Sequence, residues 1–370
     1  MGKKFQGIFN VEKSSSILSS LAAIVVGLFV GFLVLLVSSP GEAFGGFGTI
    51  LIGGAAGMRA VGQTLYVATP IIMTGLSVAF ANKTGLFNIG ASGQFIVGAY
   101  VAIVIGVKCT FFGSFAWIFA LLGAILAGAL WGALPGILKA FRNVNEVISC
   151  IMMNYIGMYL VNYLVKETVF NSLTNQSQRV AAGANVPKMG FDLIFKTGSR
   201  ASSANGGILI AIAAAVIIYL IIEKTKFGYE LKACGLNRHA AKYAGVNEKF
   251  SIVMSMVIAG AMSGLGGALL YLAGSGTAIS VVDVLAPEGF NGIPVALLAL
   301  NNPIGVIFAG IFIAYLSVGG LGMQMYSFAP QVIEIVVAII IYFSAFALVF
   351  KGVIQNFIKG RKAKAGGESK

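Results

Sequence analysis

The sequence predicts an all-α polytopic membrane protein with about ten transmembrane helices. Of its 370 residues, 58% are hydrophobic and only 10% are charged, and the mean hydropathy is +0.92. A soluble domain carries about 25% charged residues, and a single soluble core cannot bury so large a surplus of apolar side chains. Lipid must therefore cover much of the surface. The 49 glycines fit this class, because small residues let membrane helices approach one another closely.

Ten apolar runs are each predicted to cross the membrane, two of them as short helices. The first run is too long for the core of a signal peptide and lacks a small-residue cleavage site, so we expect it to be retained. The predicted spans are Ile17–Val37, Gly62–Ala81, Gln94–Val107, Phe115–Leu138, Val147–Val165, Gly207–Ile222, Ser251–Ala273, Phe290–Leu300, Ile304–Val318 and Pro330–Phe350.

Ten crossings place both termini on one side of the membrane. If that side is the cytoplasm, 18 of the 25 lysines and arginines lie inside, as the positive-inside rule requires. We therefore attribute the net charge of +13 to the orientation of the chain in the membrane, and we predict no nucleic-acid partner. The predicted segments are a cytoplasmic N-terminus (1–16), a transmembrane domain (17–350) with an exterior loop (166–206) and a cytoplasmic loop (223–250), and a basic cytoplasmic tail (351–370).

Two segments of the chain are similar to each other. Both "GLFNIGASGQFIVGAY" (85–100) and "GFNGIPVALLALNNPIGVIFAGIFIAY" (289–315) pass from a Phe-Asn turn into a glycine-rich apolar run. In the predicted topology they have opposite orientations, which is typical of the inverted repeats of transporters. Chance similarity is the alternative. The short, Gly- and Pro-interrupted spans around them predict a translocation pathway, because non-helical backbone at membrane depth needs protein or water around it.

Five polar residues within or beside these apolar runs are candidates to line that pathway. Each could hydrogen-bond a polar solute, or it could only tie helices together. For the one carboxylate among them, a position at the membrane interface is the alternative to a solute contact. The candidates are Asn88, Gln94, Asn154, Asn291 and Glu334.

The sequence lacks the usual signatures of an enzyme. It has no G-x-x-x-x-G-K-[ST] phosphate loop, no G-x-S-x-G elbow and no metal-ligand spacing, so no catalytic or metal residue is predicted. Cys109, Cys150 and Cys234 indicate neither disulfides nor zinc. Acidic residues are nearly absent from the spans, which argues against an ion-coupled carrier. The protein is then either a passive channel or a transporter that a partner energises.

A polar stretch in the cytoplasmic loop, "GYELKACGLNRHAAKYAGV" (228–246), is suited to contact such a partner. We predict two short helices, 229–234 and 237–244, interrupted by Gly235-Leu236, with Asn237 as the N-cap of the second and Gly245 as its end.

Small residues (Ala240, Ala241 and Ala244) thin one side of the second helix, which could enter a groove on another protein. Its neighbouring cations are predicted to pair with acidic groups around that groove. A solvated helix that docks on its own bundle is the alternative. The cations are Lys232, Arg238 and Lys242.

This stretch resembles the cytoplasmic coupling segment of ABC importer permeases, in the branch that serves ribose-type sugars, branched-chain amino acids and nucleosides. Lys232 replaces the commoner arginine, which keeps the charge and loses the planar fork. The two Phe-Asn blocks fit the same family, and "NEVISCIMMNYIG" (145–157) resembles the nucleoside-type permeases that pair with basic-membrane-protein lipoproteins. The predicted ATPase-coupling residues are Gly228, Glu230, Lys232, Ala233, Gly235, Asn237, Arg238, Ala240, Ala241 and Gly245.

The resemblance implies a permease subunit in a bacterial cell membrane, without a cofactor of its own. Its implied partners are a cytoplasmic ATPase that binds ATP and Mg²⁺, a substrate-binding lipoprotein outside, and a second permease chain, with a heterodimer favoured over a homodimer. Nucleosides are the first predicted substrate, ribose-like sugars the second and branched-chain amino acids the third. A passive channel or facilitator for small polar solutes is the alternative from a different class.

Overall fold

The computed structural model describes residues 2–346 and residue 352, and the predicted basic tail (351–370) therefore lies almost wholly outside the described residues. In the described part, fourteen α-helices account for most of the chain. They are α1 (Gly2–Ser38), α2 (Ala43–Gly53), α3 (Met58–Lys83), α4 (Ala91–Lys108), α5 (Ala116–Arg142), α6 (Glu146–Thr168), α7 (Phe191–Ile194), α8 (Gly207–Lys224), α9 (Lys226–Leu236), α10 (Arg238–Tyr243), α11 (Glu248–Tyr271), α12 (Pro287–Leu298), α13 (Pro303–Gly322) and α14 (Pro330–Ala345).

The all-α polytopic class is confirmed. Eight helical segments among the described residues are long and apolar enough to cross a membrane, and they contain α1, α3, α4, α5, α6, α8, α11 and α13. The remaining two predicted spans correspond to the shorter helices α12 and α14. Nine of the predicted apolar runs therefore overlap a helix, and so does the described part of the tenth, Pro330–Phe350.

Helix α2 was missed by the sequence prediction. Its sequence, AFGGFGTILIG, contains four glycines, and glycine weakens an isolated helix by about 1 kcal/mol per residue. Packing against α13 compensates, because a Cβ at Gly53 would lie 2.9 Å from the Cα of Gly319. Tertiary contact thus overrides a poor local propensity.

The centre of the bundle is built by close contacts between helices. The segment around α3 is almost entirely buried, and α11 packs closely against α5. Side chains at Gly128 of α5 and at Gly260 or Gly264 of α11 would overlap the backbone of the facing helix. Glycine at these positions brings the two backbones into van der Waals contact, as small residues do in membrane bundles.

The turns on the predicted cytoplasmic side are connected to one another. The amide of Asn82, at the end of α3, donates to Asn301 Oδ1 in the turn between α12 and α13 (2.9 Å). The Lys249 ammonium lies 5.0 Å from the centre of the Phe141 ring, which joins the start of α11 to the end of α5. These contacts place the predicted cytoplasmic loop and the short turns at the same end of the bundle.

The predicted exterior loop (166–206) contains regular secondary structure. Helix α6 continues into it as far as Thr168, and two small antiparallel pairs follow. The Ser177 amide also donates to the carbonyl of Ile279 (2.8 Å), so the loop packs on the segment between α11 and α12. The strands are β1 (Phe170–Asn171) with β2 (Gln176–Ser177), and β3 (Lys196–Thr197) with β4 (Arg200–Ala201).

Candidate functional site

Helix α12 begins at about the middle depth of the bundle. The Thr74 hydroxyl of α3 donates to the carbonyl of Glu288 in the first turn of α12 (3.0 Å), and Asn82 bonds Asn301 just beyond its last turn. At 1.5 Å per residue, Thr74 lies about 13 Å from the end of α3 at Lys83. Helix α12 therefore runs beside only the last part of α3, from mid-depth to the predicted cytoplasmic surface.

Helix α4 also begins below the surface of the bundle. After α3 the chain turns back inward, and Asn88 Nδ2 donates to Ser77 Oγ, a turn and a half before the end of α3 (2.9 Å). In the first turn of α4, Ser92 Oγ donates to the carbonyl of Ala286, which precedes α12 (2.9 Å). A Cβ at Gly289 would overlap the backbone of Ser92, so only glycine allows this approach. We call this contact between the starts of α4 and α12 the helix-start junction.

The junction brings two helix N-termini together at membrane depth. Helix α4 leads from it to the predicted exterior, whereas α12 leads to the predicted cytoplasm, so the two helices have opposite directions. Each N-terminus carries a partial positive charge. The two similar Phe-Asn sequences lie close to the junction. Phe87-Asn88 is in the turn before α4, whereas Phe290-Asn291 lies within α12, so the prediction of a turn at the second sequence is wrong.

Three of the five predicted pathway residues are buried around the turn that precedes α4: Asn88 in the turn, Gln94 in α4 and Asn154 in α6. Asn88 and Gln94 form a reciprocal amide pair: Asn88 Nδ2 donates to Gln94 Oε1 (2.8 Å), and Gln94 Nε2 donates to Asn88 Oδ1 (3.1 Å). Asn154 of α6 accepts from the Gly93 amide (2.8 Å) and donates to the Ile89 carbonyl (3.0 Å). In this conformation the three amides tie the turn to α3 and α6, and a contact with solute stays a prediction.

The other two predicted pathway residues lie together in a cavity of about 700 Å³ between α12, α13 and α14. Asn291 of α12 and Glu334 of α14 contribute to its wall. The volume is in the usual range for sites that bind small molecules. The remaining wall is mostly apolar, with two further hydroxyl groups on Ser317 and Tyr342, and includes Pro287, Ile293, Pro294, Leu297 and Leu321.

An acidic residue beside the junction was missed by the sequence prediction. Glu288 lies in the first turn of α12, half-buried beside the junction. The apolar run was predicted to begin at Phe290, three residues after the true start of the helix. Proline at the first helical position followed by an acid is a known signature of a helix start, and Pro287-Glu288 provides it.

The predicted cytoplasmic stretch forms a pair of helices, α9 and α10. The Thr225 hydroxyl caps α9 by accepting from the Gly228 amide (3.0 Å), and Asn237 Oδ1 caps α10 by accepting from Ala240 (3.0 Å). Gly245 ends the pair with a φ of +83°, which favours glycine. The predicted cap and the predicted end are confirmed.

The predicted position of the break is wrong. Helix α9 continues through Gly235-Leu236, and the chain leaves the helix only at Asn237, where the backbone is extended. Gly235 instead provides close packing: a Cβ there would overlap the Lys83 carbonyl and lie 3.0 Å from the Gly85 amide. The residue therefore sets α9 against the end of α3, where the chain turns back toward the junction.

Two of the cations that were predicted to pair with a partner are already paired within the chain. Lys232 Nζ lies 3.0 Å from Glu223 of α8, and Arg238 Nε lies 2.7 Å from Glu248 of α11. Glu230 likewise lies 3.7 Å from Lys226, one turn earlier in α9. The prediction is corrected to this extent: the Lys232–Glu223 and Arg238–Glu248 pairs hold α9 and α10 on their own bundle, whereas the Lys226–Glu230 pair lies within α9.

Apolar side chains of the helix pair point to solvent on the predicted cytoplasmic side. Tyr229 is 71% exposed, Leu236 89% and Tyr243 94%. Of the predicted small residues, Ala241 is buried against the bundle, whereas Ala240 is exposed. These exposed side chains keep contact with a partner protein as a prediction for the helix pair. We call these three residues the exposed coupling surface.

The cysteine and the histidine of this region show no reactive arrangement. Cys234 is buried, and this burial raises the pKa of its thiol, which keeps it protonated at neutral pH. His239 is exposed at the start of α10. Cys234 and His239 therefore contribute to the packing and the surface of the helix pair.

Comparisons with known proteins agree with this architecture. Residues 60–345 match the family described as "Branched-chain amino acid transport system / permease component". The chain is 39% identical to the guanosine ABC transporter permease protein NupP of Bacillus subtilis, over 96% of this chain and 99% of NupP. It is 33% identical to the nucleoside ABC transporter permease protein NupB of Lactococcus lactis, over 97% of each chain. It is 32% identical to the glucose ABC transporter permease protein TsgB13 of Haloferax volcanii, over 90% of this chain and 87% of TsgB13.

The family match covers well over half of the chain, and the relatives align over nearly their whole length. Permease subunits of ABC transporters form the membrane part, while ATP is bound by partner ATPases. The chain therefore belongs to the branched-chain amino acid transport system permease family, as a multi-pass, non-enzymatic subunit of an ABC transporter in the bacterial plasma membrane.

Proposed function

We propose that this chain forms one half of the translocation pathway of a nucleoside importer. The observation that carries the proposal is the cavity beside the helix-start junction, where Asn291 and Glu334 face the same space. Two relatives named for guanosine or nucleoside transport support the choice of solute.

The side chains of the cavity suit a nucleoside. The carboxylate of Glu334 accepts hydrogen bonds from ribose hydroxyls, and the amide of Asn291 both donates and accepts, as the edge of a base requires. The mostly apolar remainder of the wall contacts the flat faces of the base. A few polar groups in an otherwise apolar cavity orient a solute without holding it too tightly to leave.

A second, different permease chain completes the pathway. Three organisms each contribute two related permeases: NupP and NupQ in Bacillus subtilis, NupB and NupC in Lactococcus lactis, and TsgB13 and TsgC13 in Haloferax volcanii. This chain is 39% identical to NupP and 25% identical to NupQ, so it corresponds to one member of such a pair. An exterior substrate-binding lipoprotein delivers the solute.

The helix pair α9–α10 transmits the ATPase cycle to the pathway. The exposed coupling surface docks on the ATPase, and the paired charges Lys232–Glu223 and Arg238–Glu248 make α9 and α10 move with their own bundle. Gly235 sets α9 against the turn after α3. That turn leads through Asn88 to the helix-start junction, so a shift of α9 reaches the pathway by direct packing.

The test is uptake of radiolabelled guanosine by cells that lack this chain and by the same cells with the chain restored. We expect uptake only with the chain present, and we expect depletion of ATP to abolish it. Uptake that continues without ATP would show a passive facilitator and contradict the importer assignment.

A sugar is the second candidate solute, because the glucose permease relative is 32% identical over most of both chains. Competition separates the two. Excess guanosine should suppress labelled guanosine uptake while excess ribose or glucose leaves it unchanged. Uptake of labelled sugar that depends on this chain, together with no uptake of guanosine, would favour the sugar.

A further inference from the structure

One side of α6 carries a row of exposed tyrosines. Tyr155, Tyr159 and Tyr163 are spaced four residues apart, so they lie along one side of the helix, and they are 46%, 55% and 61% exposed. The opposite side packs into the bundle through buried residues that include Asn154 and Val161. We call the row of three the tyrosine face.

The tyrosine face lies at a depth where tyrosine is costly in lipid. Helix α6 spans Glu146–Thr168, so Tyr155 and Tyr159 flank its middle. Tyrosine concentrates at the membrane–water interfaces, where its hydroxyl stays hydrated. A hydroxyl in the hydrocarbon core has no water to bond and costs free energy. The sequence therefore indicates that this face meets something other than lipid tails.

The neighbouring helix α5 shows what a lipid-facing side of this protein looks like. Its outer row at the same four-residue spacing is Leu122, Leu126, Leu130 and Leu134, which are 51%, 64%, 72% and 44% exposed. The row contains only aliphatic side chains. Helix α6 carries an exposed aliphatic row of its own at the same spacing, Ile148, Met152, Ile156 and Leu160, so the tyrosines form one strip of its outer surface beside an aliphatic one.

The tyrosine face adjoins the segment that leads into the pathway. Asn162 of α6 donates from Nδ2 to the Val282 carbonyl (3.0 Å) and to Asp283 Oδ1 (3.1 Å). From there the chain continues directly to Pro287, which begins α12 and lines the cavity. The face therefore lies beside the segment that leads from α11 into α12, on the side of α6 opposite Asn154.

We propose that the tyrosine face lines the translocation pathway and that its rings stack on the base of the nucleoside. The proposal rests on the proposed nucleoside transport. Every nucleobase has a flat π face, so stacking on tyrosine tolerates both purines and pyrimidines. The hydroxyls bond water in the pathway. Because rings four residues apart are separated by about 6 Å along the helix, they offer successive weak sites.

The test compares two substitutions of the middle tyrosine in the complete importer with its partner subunits. Tyr159→Leu removes the ring and keeps an apolar side chain, whereas Tyr159→Phe keeps the ring and removes the hydroxyl. We expect Tyr159→Leu to lower the initial rate of nucleoside uptake about fivefold or more, since one stacking contact is lost. Tyr159→Phe should stay within about twofold of wild type. Leu126→Ala, on the outer row of α5, is the matched control and should leave uptake unchanged.

A photoreactive nucleoside gives a second readout that a merely structural role does not affect. Under turnover with ATP, 8-azidoadenosine should label the peptide that contains α6, and Tyr159→Leu should reduce that labelling while co-purification of the partner subunits is unchanged. Wild-type uptake in Tyr159→Leu, or labelling that avoids α6, would overturn the stacking proposal. Equal loss of uptake in both tyrosine variants, with loss of the second permease chain, would also overturn it and show a subunit contact. A wild-type importer that carries no nucleoside contradicts the proposed function itself.

Discussion

The two Phe-Asn sequences beside the helix-start junction, one in the turn before α4 and one within α12, are alike in sequence and different in surroundings. Asn88, before α4, has no exposed surface, and its amide is bonded to Ser77 and Gln94. Asn291, in α12, lines an open cavity with Glu334. The same local pattern therefore builds a sealed support in one half and an accessible wall in the other. The difference teaches that a polar residue at membrane depth acquires its role from what packs around it.

The largest expected effect comes from breaking the junction that joins the two halves. Gly289→Val places a branched side chain where the backbone of Ser92 lies, so α4 and α12 must separate. We expect loss of assembled protein from the membrane and no measurable nucleoside uptake. Abundance is measured by immunoblotting and uptake with labelled guanosine. The matched control is Gly48→Ala in α2, where the added Cβ meets no atom within 4 Å; wild-type behaviour of both variants would contradict the junction.

The next largest effect should come from a substitution in the sealed half, which contains Asn88. Asn88→Leu leaves the amide of Gln94 and the hydroxyl of Ser77 buried without their partner. Each buried polar group without a partner costs about 1–3 kcal/mol. We expect a lower melting temperature of the purified chain in detergent, and a loss of uptake that follows the loss of folded protein. Unchanged melting with abolished uptake would instead place Asn88 on the solute path.

The half that contains Asn291 and Glu334 is open to the cavity. A substitution there should lower uptake without lowering thermal stability. Glu334→Gln keeps the shape of the side chain and removes its charge, and the carboxylate contacts a cavity rather than a packed core. We expect nucleoside uptake per folded chain to fall by about tenfold, the value of one charged hydrogen bond of about 1.5 kcal/mol. The melting temperature should stay within about 2 °C. A large loss of thermal stability with normal uptake would move Glu334 to a structural role.

The smallest effect is expected for a polar residue of the cavity that is already satisfied. The Ser317 hydroxyl donates to the Ile313 carbonyl within its own helix (3.0 Å), as serines in membrane helices commonly do. Ser317→Ala should therefore leave uptake within about twofold of wild type, because one weak polar contact is worth about 0.5 kcal/mol. A loss as large as that of Glu334→Gln would show that the solute recruits this hydroxyl.

The sequence predicted the helices well because apolar length is a strong signal in membrane proteins. It also predicted the cap at Asn237 and the stop at Gly245, since both depend on local backbone chemistry. Glycine caused the errors. At Gly235, and in α2, it permits close packing rather than ending a helix, and only the facing backbone distinguishes the two uses.

The candidate site could be predicted only in part, and the reason is related. The five polar residues were predicted as pathway candidates, and their division into three buried amides and two cavity residues depends on contacts between distant segments, such as the bond between Asn154 and the turn before α4. The paired cations Lys232 and Arg238 illustrate the same limit, because their acidic partners lie on other helices. The local sequence pattern identifies a polar or charged residue as a candidate, and only its contacts in the folded protein show its role.

The most direct test of the contrast between the halves is protection of introduced cysteines by substrate. In a chain whose three native cysteines are replaced by serine, Asn291→Cys and Asn88→Cys are treated with a small thiol reagent in the assembled importer, with and without guanosine and ATP. Our account predicts that Asn291→Cys reacts and that nucleoside slows its reaction, whereas Asn88→Cys stays unreactive. Rapid, guanosine-protected reaction at Asn88→Cys, with none at Asn291→Cys, would contradict it.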